Sequence, residues 1–184
     1  MNNFMEIGVS QVKEQEKKRK MSKVTLTKLT FENYEKVLQL KPKESQKKFV
    51  EDWSTILAIA YIGTSENMDG QLYVIAYENE PVGNALIGKG KVGKQEPVEL
   101  QQYIYTYRIM GFFIDEKYQN LGIGKKALKL LIEKIKEYPD GDKLPVALEV
   151  KKNNEVAMKL YESFGFYDTG IRYEDDCAFV KLPD

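Results

Sequence analysis

Apolar and polar residues alternate through KVTLTKL, residues 23–29, with the two-residue period of a half-buried strand. Thr30 then stands where its hydroxyl can cap a short helix over FENYEKVLQL, and Pro42 ends that helix. In ESQKKFVEDWSTILAIAYIG, Phe49, Trp53, Ile56, Leu57 and Ala60 fall on one face at helical spacing, which predicts a second helix over the segment. QLYVIAYE reads as a strand, Asn79, Pro81 and Gly83 punctuate a turn in NEPVG, and VGNALIGKG returns as the second strand of a hairpin. KVGKQEPVEL is polar and reads as a loop, and QYIYTYRIMGFFID is a long strand interrupted by Gly111.

The period lengthens at YQNLGIGKKALKLLIEKI, where Leu128, Leu131, Ile132 and Ile135 make a core-facing helical stripe behind two closely spaced glycines. YPDGDKLP breaks the chain, and VALEV is short and apolar enough for a buried strand. Asn154 can cap a further helix with Ala157, Leu160, Tyr161 and Phe164 on one face, and Gly165 ends it. FYDTGIRYED and CAFVKL read as a closing hairpin. The order predicts an α/β fold of one mixed sheet with helices packed on it. Residues 1–20 end in a charged run unlike the patterned chain after it, while Met21 opens what reads as a domain. The expected organisation is an N-terminal extension, 1–22, and a single domain, 23–184.

Composition narrows the chemistry. The 184 residues suit one core, and Lys+Arg 28 balances Asp+Glu 28, which argues against a nucleic-acid partner. No apolar run approaches the ~18–20 residues of a bilayer span. The N-terminus also lacks the apolar core of a secretion signal, so no membrane partner and a cytoplasmic location are expected. The single cysteine, Cys177, excludes an intrachain disulfide and reads as a small buried hydrophobe. There is no histidine, so Ser-His-Asp and Cys-His arrangements and His-based zinc motifs are impossible, and no metal is expected. Acid–base work falls to Tyr, Asp, Glu, Lys, Cys177 or water.

Three readings compete for Gly122-Ile123-Gly124-Lys125-Lys126-Ala127. It matches a dinucleotide fingerprint formally, but that motif comes almost directly after its strand, and here DEKYQNL intervenes after Ile114. A plain tight turn is the second reading. In the third, Gln119, Gly122 and Gly124 open a helix whose unpaired amides and positive dipole end accept a phosphate, with Lys125 as a nearby cation. GKGKVGK, residues 88–94, imitates a phosphate loop, but Gln95 stands where magnesium chemistry needs Ser or Thr; it reads as a mobile hairpin end.

The Gln119-x-x-Gly122-x-Gly124 loop resembles that of the GNAT superfamily of acyl-CoA-dependent N-acetyltransferases. NEVAMKLYESFGF fits a second pattern of that family with Asn154, Ala157, Leu160, Tyr161, Gly165 and Phe166. FFIDEKYQNLGIGKKALK and ESQKKFVEDWSTILAIAY further resemble bacterial spermine/spermidine acetyltransferases, although Gly111 stands where those enzymes usually show a basic residue. The resemblance covers roughly Lys23 to the C-terminus. It implies a mixed, mostly antiparallel sheet of about seven strands with strands 4 and 5 splayed.

The resemblance also implies acetyl-CoA as co-substrate, lying between YRIMGFFID and VALEV. Phe112, Phe113 and Ile114 would pair with the pantetheine, and Gln119, Asn120, Leu121, Gly122, Ile123, Gly124 and Lys125 would surround the pyrophosphate. Gly111 fits a bulge at the splay or a simple packing gap, and Asn154 binds the co-substrate, caps its helix, or does both. Tyr161 would protonate the leaving thiolate, and Asp115, Glu116 and Glu149 are the candidates for receiving the amine's proton, directly or through water. The acceptor implied is a small-molecule amine such as a polyamine. Glu44, Glu51 and Asp52 are available to hold its cationic chain, although Lys47 and Lys48 among them favour a surface salt-bridge face. The alternatives are a protein or peptide acceptor, or a sensor that binds CoA without turnover. Analogy with related enzymes suggests a homodimer.

Overall fold

The structure, a computed structural model, describes residues 23–184, so the extension expected over 1–22 lies outside the described residues. Seven strands form one sheet: β1 (Val24–Lys28), β2 (Gly70–Tyr77), β3 (Glu80–Lys91), β4 (Tyr105–Ile114), β5 (Val146–Lys151), β6 (Tyr167–Tyr173) and β7 (Asp176–Lys181). Their spatial order is β1-β2-β3-β4-β5-β7-β6. Every neighbouring pair is antiparallel except β4 and β5. Those two share only the register pairs Tyr107↔Val146 and Arg108↔Ala147, and then diverge. Pro145 closes the base of this fork, its carbonyl accepting from the Tyr107 amide at 3.0 Å and from Thr106 Oγ1 at 2.9 Å.

Among the described residues four α-helices flank the sheet: α1 (Tyr34–Leu38), α2 (Trp53–Ser65), α3 (Ile123–Lys136) and α4 (Glu155–Glu162). The stripe read from α3 is its buried face, with Ile123 and Ala127 added to Leu128, Leu131, Ile132 and Ile135. Each such Leu or Ile contributes roughly 1.5–3 kcal/mol of burial, so α3 is firmly held. It shares a core with Ile87, Tyr107, Leu148 and Phe179, and α4 joins the same core through Tyr161. Ile56 of α2 instead packs on Leu72 and Leu86, which alternate along their strands with Tyr73 and Ile87 and so face the other side of the sheet. Cys177 is buried, as its apolar context implies.

Three readings of the sequence are corrected. The segment read as one second helix is a 3₁₀ helix, Glu44–Phe49, followed by a break and then α2. Asp52 causes the break: extended at φ −70° and ψ 156°, it caps α2 by accepting from the Ser54 and Thr55 amides. Phe49 therefore leaves the helical face, and Leu57 is 38% exposed. The turn read over NEPVG falls earlier, at Glu78-Asn79, both at positive φ, while Pro81 and Gly83 already pair within β3. Gly88 and Lys91 likewise belong to β3 rather than a mobile hairpin end. The loop beyond is pinned, because Glu96 accepts from the Gly93 amide and Gln101 donates to the Gly93 and Glu96 carbonyls.

Candidate active site

Divergence of β4 from β5 leaves a cleft in the middle of the sheet, and a cavity of about 530 Å³ occupies it. β4 contributes Phe112, Phe113 and Ile114 to the lining, β5 contributes Leu148, Glu149 and Val150, and α4 contributes Ala157, Leu160 and Tyr161. Past Arg108 and Ala147 neither strand has the other as partner, so an extended ligand could pair with the exposed backbone as an added strand. Gly111 sits in a bulge of β4 at φ +56°, and its carbonyl accepts from Asn84 Nδ2 at 2.8 Å. A Cβ there would come within 2.5 Å of Ile56 Cδ1, so the bulge and the close packing both require glycine.

At one end of the cleft lies the start of α3. Gly122 adopts φ +74° as its N-cap, and Asn120 is also left-handed at φ +63°. The first backbone bond of the helix runs from the Lys126 amide to the Gly122 carbonyl at 3.2 Å. The amides of Gly122, Ile123, Gly124 and Lys125 have no acceptor among the described residues. Gly124 lines the cavity without a side chain, Leu121 is exposed, and Ile123 anchors the turn in the core. No acidic residue lies in the first turn, and Lys125 makes no ion pair among the described residues. These features fit an anion, which the unpaired amides and dipole would stabilise.

Gln119 departs from the expectation of a free donor beside this cradle. Its Nε2 donates to the Ile114 carbonyl at 3.0 Å and to Gln46 Oε1 at 2.7 Å, so both amide hydrogens are engaged. The side chain braces the turn between β4 and α3 instead.

Tyr161 is buried, lines the cavity, and stacks edge-on to Phe166 with ring centroids 5.9 Å apart. Its hydroxyl has no hydrogen-bond partner among the described residues, and burial pushes its pKa well above the usual tyrosine range. It therefore holds its proton. Asn154 caps α4, accepting from the Ala157 amide at 3.3 Å, and lines the cavity as well, so its two readings are compatible.

The three base candidates separate. Asp115 is buried away from the cavity lining, with one oxygen accepting from the Lys41 amide and the other from the Lys117 amide. Glu116 is exposed and does not line the cavity. Glu149 does line it, makes no salt bridge among the described residues, and has its pKa raised, first by desolvation and then by Asp176, against the opposing pull of Arg108. Among the early carboxylates, Glu44 pairs with Lys47 at 2.6 Å and Asp52 caps α2, its pKa lowered chiefly by the Ser54 hydroxyl. Glu51 alone of the three lines the cavity.

Several cleft residues carry no signal in the sequence. Arg108 reaches Glu96 at 2.5 Å, and Lys151 reaches Asp176 at 2.6 Å, so the cations on the lining are already paired. These partners come from separate loops and strands, and no motif links them. Gln46 is missed for the same reason.

The model of the acetyltransferase (GNAT) family matches residues 34–166. Over 71 residues the chain is 39% identical to the spermine/spermidine N(1)-acetyltransferase of Bacillus subtilis (strain 168), covering 38% of this chain and 45% of that protein. Over 93 residues it is 31% identical to the N-alpha-acetyltransferase RimI of Mycobacterium tuberculosis, covering 49% of this chain and 51% of the relative. The matched stretches thus span about half the length of these curated relatives. The solved structure of the PaiA N-acetyltransferase from Thermoplasma acidophilum, in complex with coenzyme A, superposes with a TM-score of 0.59. That superposition covers 87% of this chain and 99% of the other at 16% identity, which shows a shared fold.

Proposed function

The chain belongs to the acetyltransferase (GNAT) family, and from that premise we propose that it transfers an acetyl group from acetyl-CoA to a primary amine of a small molecule of the polyamine class. The observation that carries this reading is the cleft itself, with unpaired amides at the start of α3 and the unpaired carboxylates Glu51 and Glu149 on its lining. The amides suit the pyrophosphate, and the carboxylates suit a cationic amine. The B. subtilis spermine/spermidine relative supports the same class.

The residues divide the work. Asn120, Leu121, Gly122, Ile123, Gly124 and Lys125 hold the pyrophosphate, and the open edge at Phe112, Phe113 and Ile114 takes the pantetheine. Acetyl-CoA supplies an acyl thioester. An alkylammonium of pKa ~10.4 is neutral in only about one molecule in 2,500 at pH 7, a handicap of roughly 4–5 kcal/mol. Glu149 receives that proton, directly or through a water, and its raised pKa makes it a better acceptor than an ordinary glutamate. The amine nitrogen bonds to the acyl carbon, the carbon–sulfur bond breaks, and the Tyr161 hydroxyl gives its proton to the departing sulfur. The proton the nitrogen sheds on becoming an amide returns to Tyr161 through water.

Release of free thiol from acetyl-CoA, measured across a panel of spermidine, spermine, monoamines and short peptides, tests the reading. Turnover of the polyamines without any peptide is expected. Preferential turnover of a peptide N-terminus would replace the acceptor with the class of the RimI relative. Tight coenzyme A binding with no thiol release from any amine would overturn catalysis and leave a CoA-binding sensor.

A further inference from the structure

One wall of the cleft is held very differently from the rest. Residues 42–51 run from the end of α1 to the cap of α2 and place Gln46, Phe49, Val50 and Glu51 on the cavity lining. No residue in this strap is buried, and none belongs to a hydrophobic core cluster. Its ends are fixed. At one, the Lys41 amide donates to Asp115 Oδ2 at 2.9 Å, and the Lys41 carbonyl accepts from the Glu116 amide at 3.0 Å. At the other, Asp52 caps α2. Besides the bonds within the 3₁₀ helix and the Glu44–Lys47 ion pair, its internal bonds run from the Gln46 amide to the Lys43 carbonyl and from the Val50 amide to the Lys47 carbonyl. Among the described residues, a single hydrogen bond joins the strap to the remainder of the molecule, from Gln119 Nε2 to Gln46 Oε1 at 2.7 Å.

We infer that Gln46 is a positioning residue, latching the strap onto the Gln119 turn so that Phe49, Val50 and Glu51 stay in place as the amine-side wall of the cleft. The second amide hydrogen of Gln119 is bonded to the Ile114 carbonyl at 3.0 Å, so the turn itself stays braced when the latch is cut. Cutting it frees the strap and leaves the pyrophosphate cradle in place. The inference rests on the proposed function, in which this wall receives the amine.

Two variants of the full chain test it. Gln46→Leu removes the acceptor, and Gln46→Glu keeps an oxygen at the same reach. A lone hydrogen bond of ordinary strength shifts an opening equilibrium about five-fold. Trypsin should therefore cut Gln46→Leu about five-fold faster at Lys47 and Lys48, both exposed on the strap. The KM for the amine should rise by a similar factor, with kcat and the acetyl-CoA dissociation constant unchanged, and Gln46→Glu should restore slow cleavage and the low KM. Unchanged cleavage in Gln46→Leu, equal effects in both variants, or an accompanying loss of acetyl-CoA affinity would overturn the latch. If the parent chain turns over no amine, the acetyl-transfer reading fails while the cleavage rates still decide the latch.

Discussion

The two walls of the cleft are built on opposite principles. On the β4–α3 side, six residues of α3 are buried, and the left-handed Gly122 presents the unpaired amides from a rigid helix end. On the strap side, residues 42–51 bury no side chain, and between their fixed ends they are held among the described residues by one side-chain hydrogen bond. A wall locked into the core can present one fixed arrangement, which suits a co-substrate of constant shape. A wall with little packing can be rebuilt cheaply, which suits the part of a site that selects the acceptor. The glycine-loop motif lies on the first wall, and the second motif lies on α4, which joins the same core through Tyr161.

The contrast is tested most severely at Glu149, which sits on β5 between the two walls. Glu149→Gln should lower kcat/KM by about 10²-fold or more, since a positioned base is typically worth 10²–10⁴. The pH profile supplies the sign. The base works deprotonated, so kcat/KM should climb with pH through the Glu149 pKa. Desolvation at the cleft and the nearby Asp176 place that limb above the ordinary glutamate value of about 4.3, although Glu149 keeps solvent access. A Gln variant that keeps the same limb would remove the role.

Tyr161→Phe comes next and acts from α4, which is packed into the same core as α3 and away from the strap. It should lower kcat by about ten-fold or more, within the range of general acid catalysis. The thermal midpoint and acetyl-CoA affinity should hold, because no partner among the described residues is left unpaired when the hydroxyl is removed. Unchanged kcat would sink the general-acid role.

The smallest effect belongs to the loose wall. Glu51→Gln should raise the KM for a polyamine about three-fold at low salt and less at high salt, as expected for a partly solvated charge. Acetyl-CoA affinity should stay the same. Titrating the amine KM against ionic strength in both proteins checks it, and an equal rise for a neutral acceptor would remove the electrostatic cause.

Legibility in the sequence tracks local physics. The α3 and α4 stripes and the Asn154 cap can be read because each depends on neighbours within a few residues. The two readings of Gly111 stay open in the sequence because Ile56 and Asn84, distant along the chain, decide between them. The second helix reads too long because Phe49 continues the apolar spacing of α2, while the competing side-chain cap at Asp52 ends it. Gln119 falls in the expected turn but with different partners, since Gln46 lies 73 residues away.

By itself, the sequence determined the elements of the sheet, the glycine turn ahead of α3, and the absence of histidine chemistry, all set by spacing and composition. The tertiary structure alone decided which carboxylate faces the cleft. Asp115, Glu116 and Glu149 are chemically equivalent along the chain, and they differ only in what surrounds them. Backbone amides occupy Asp115, Glu116 lies outside the cavity lining, and the divergence of β4 from β5 opens a space that Glu149, itself exposed, lines.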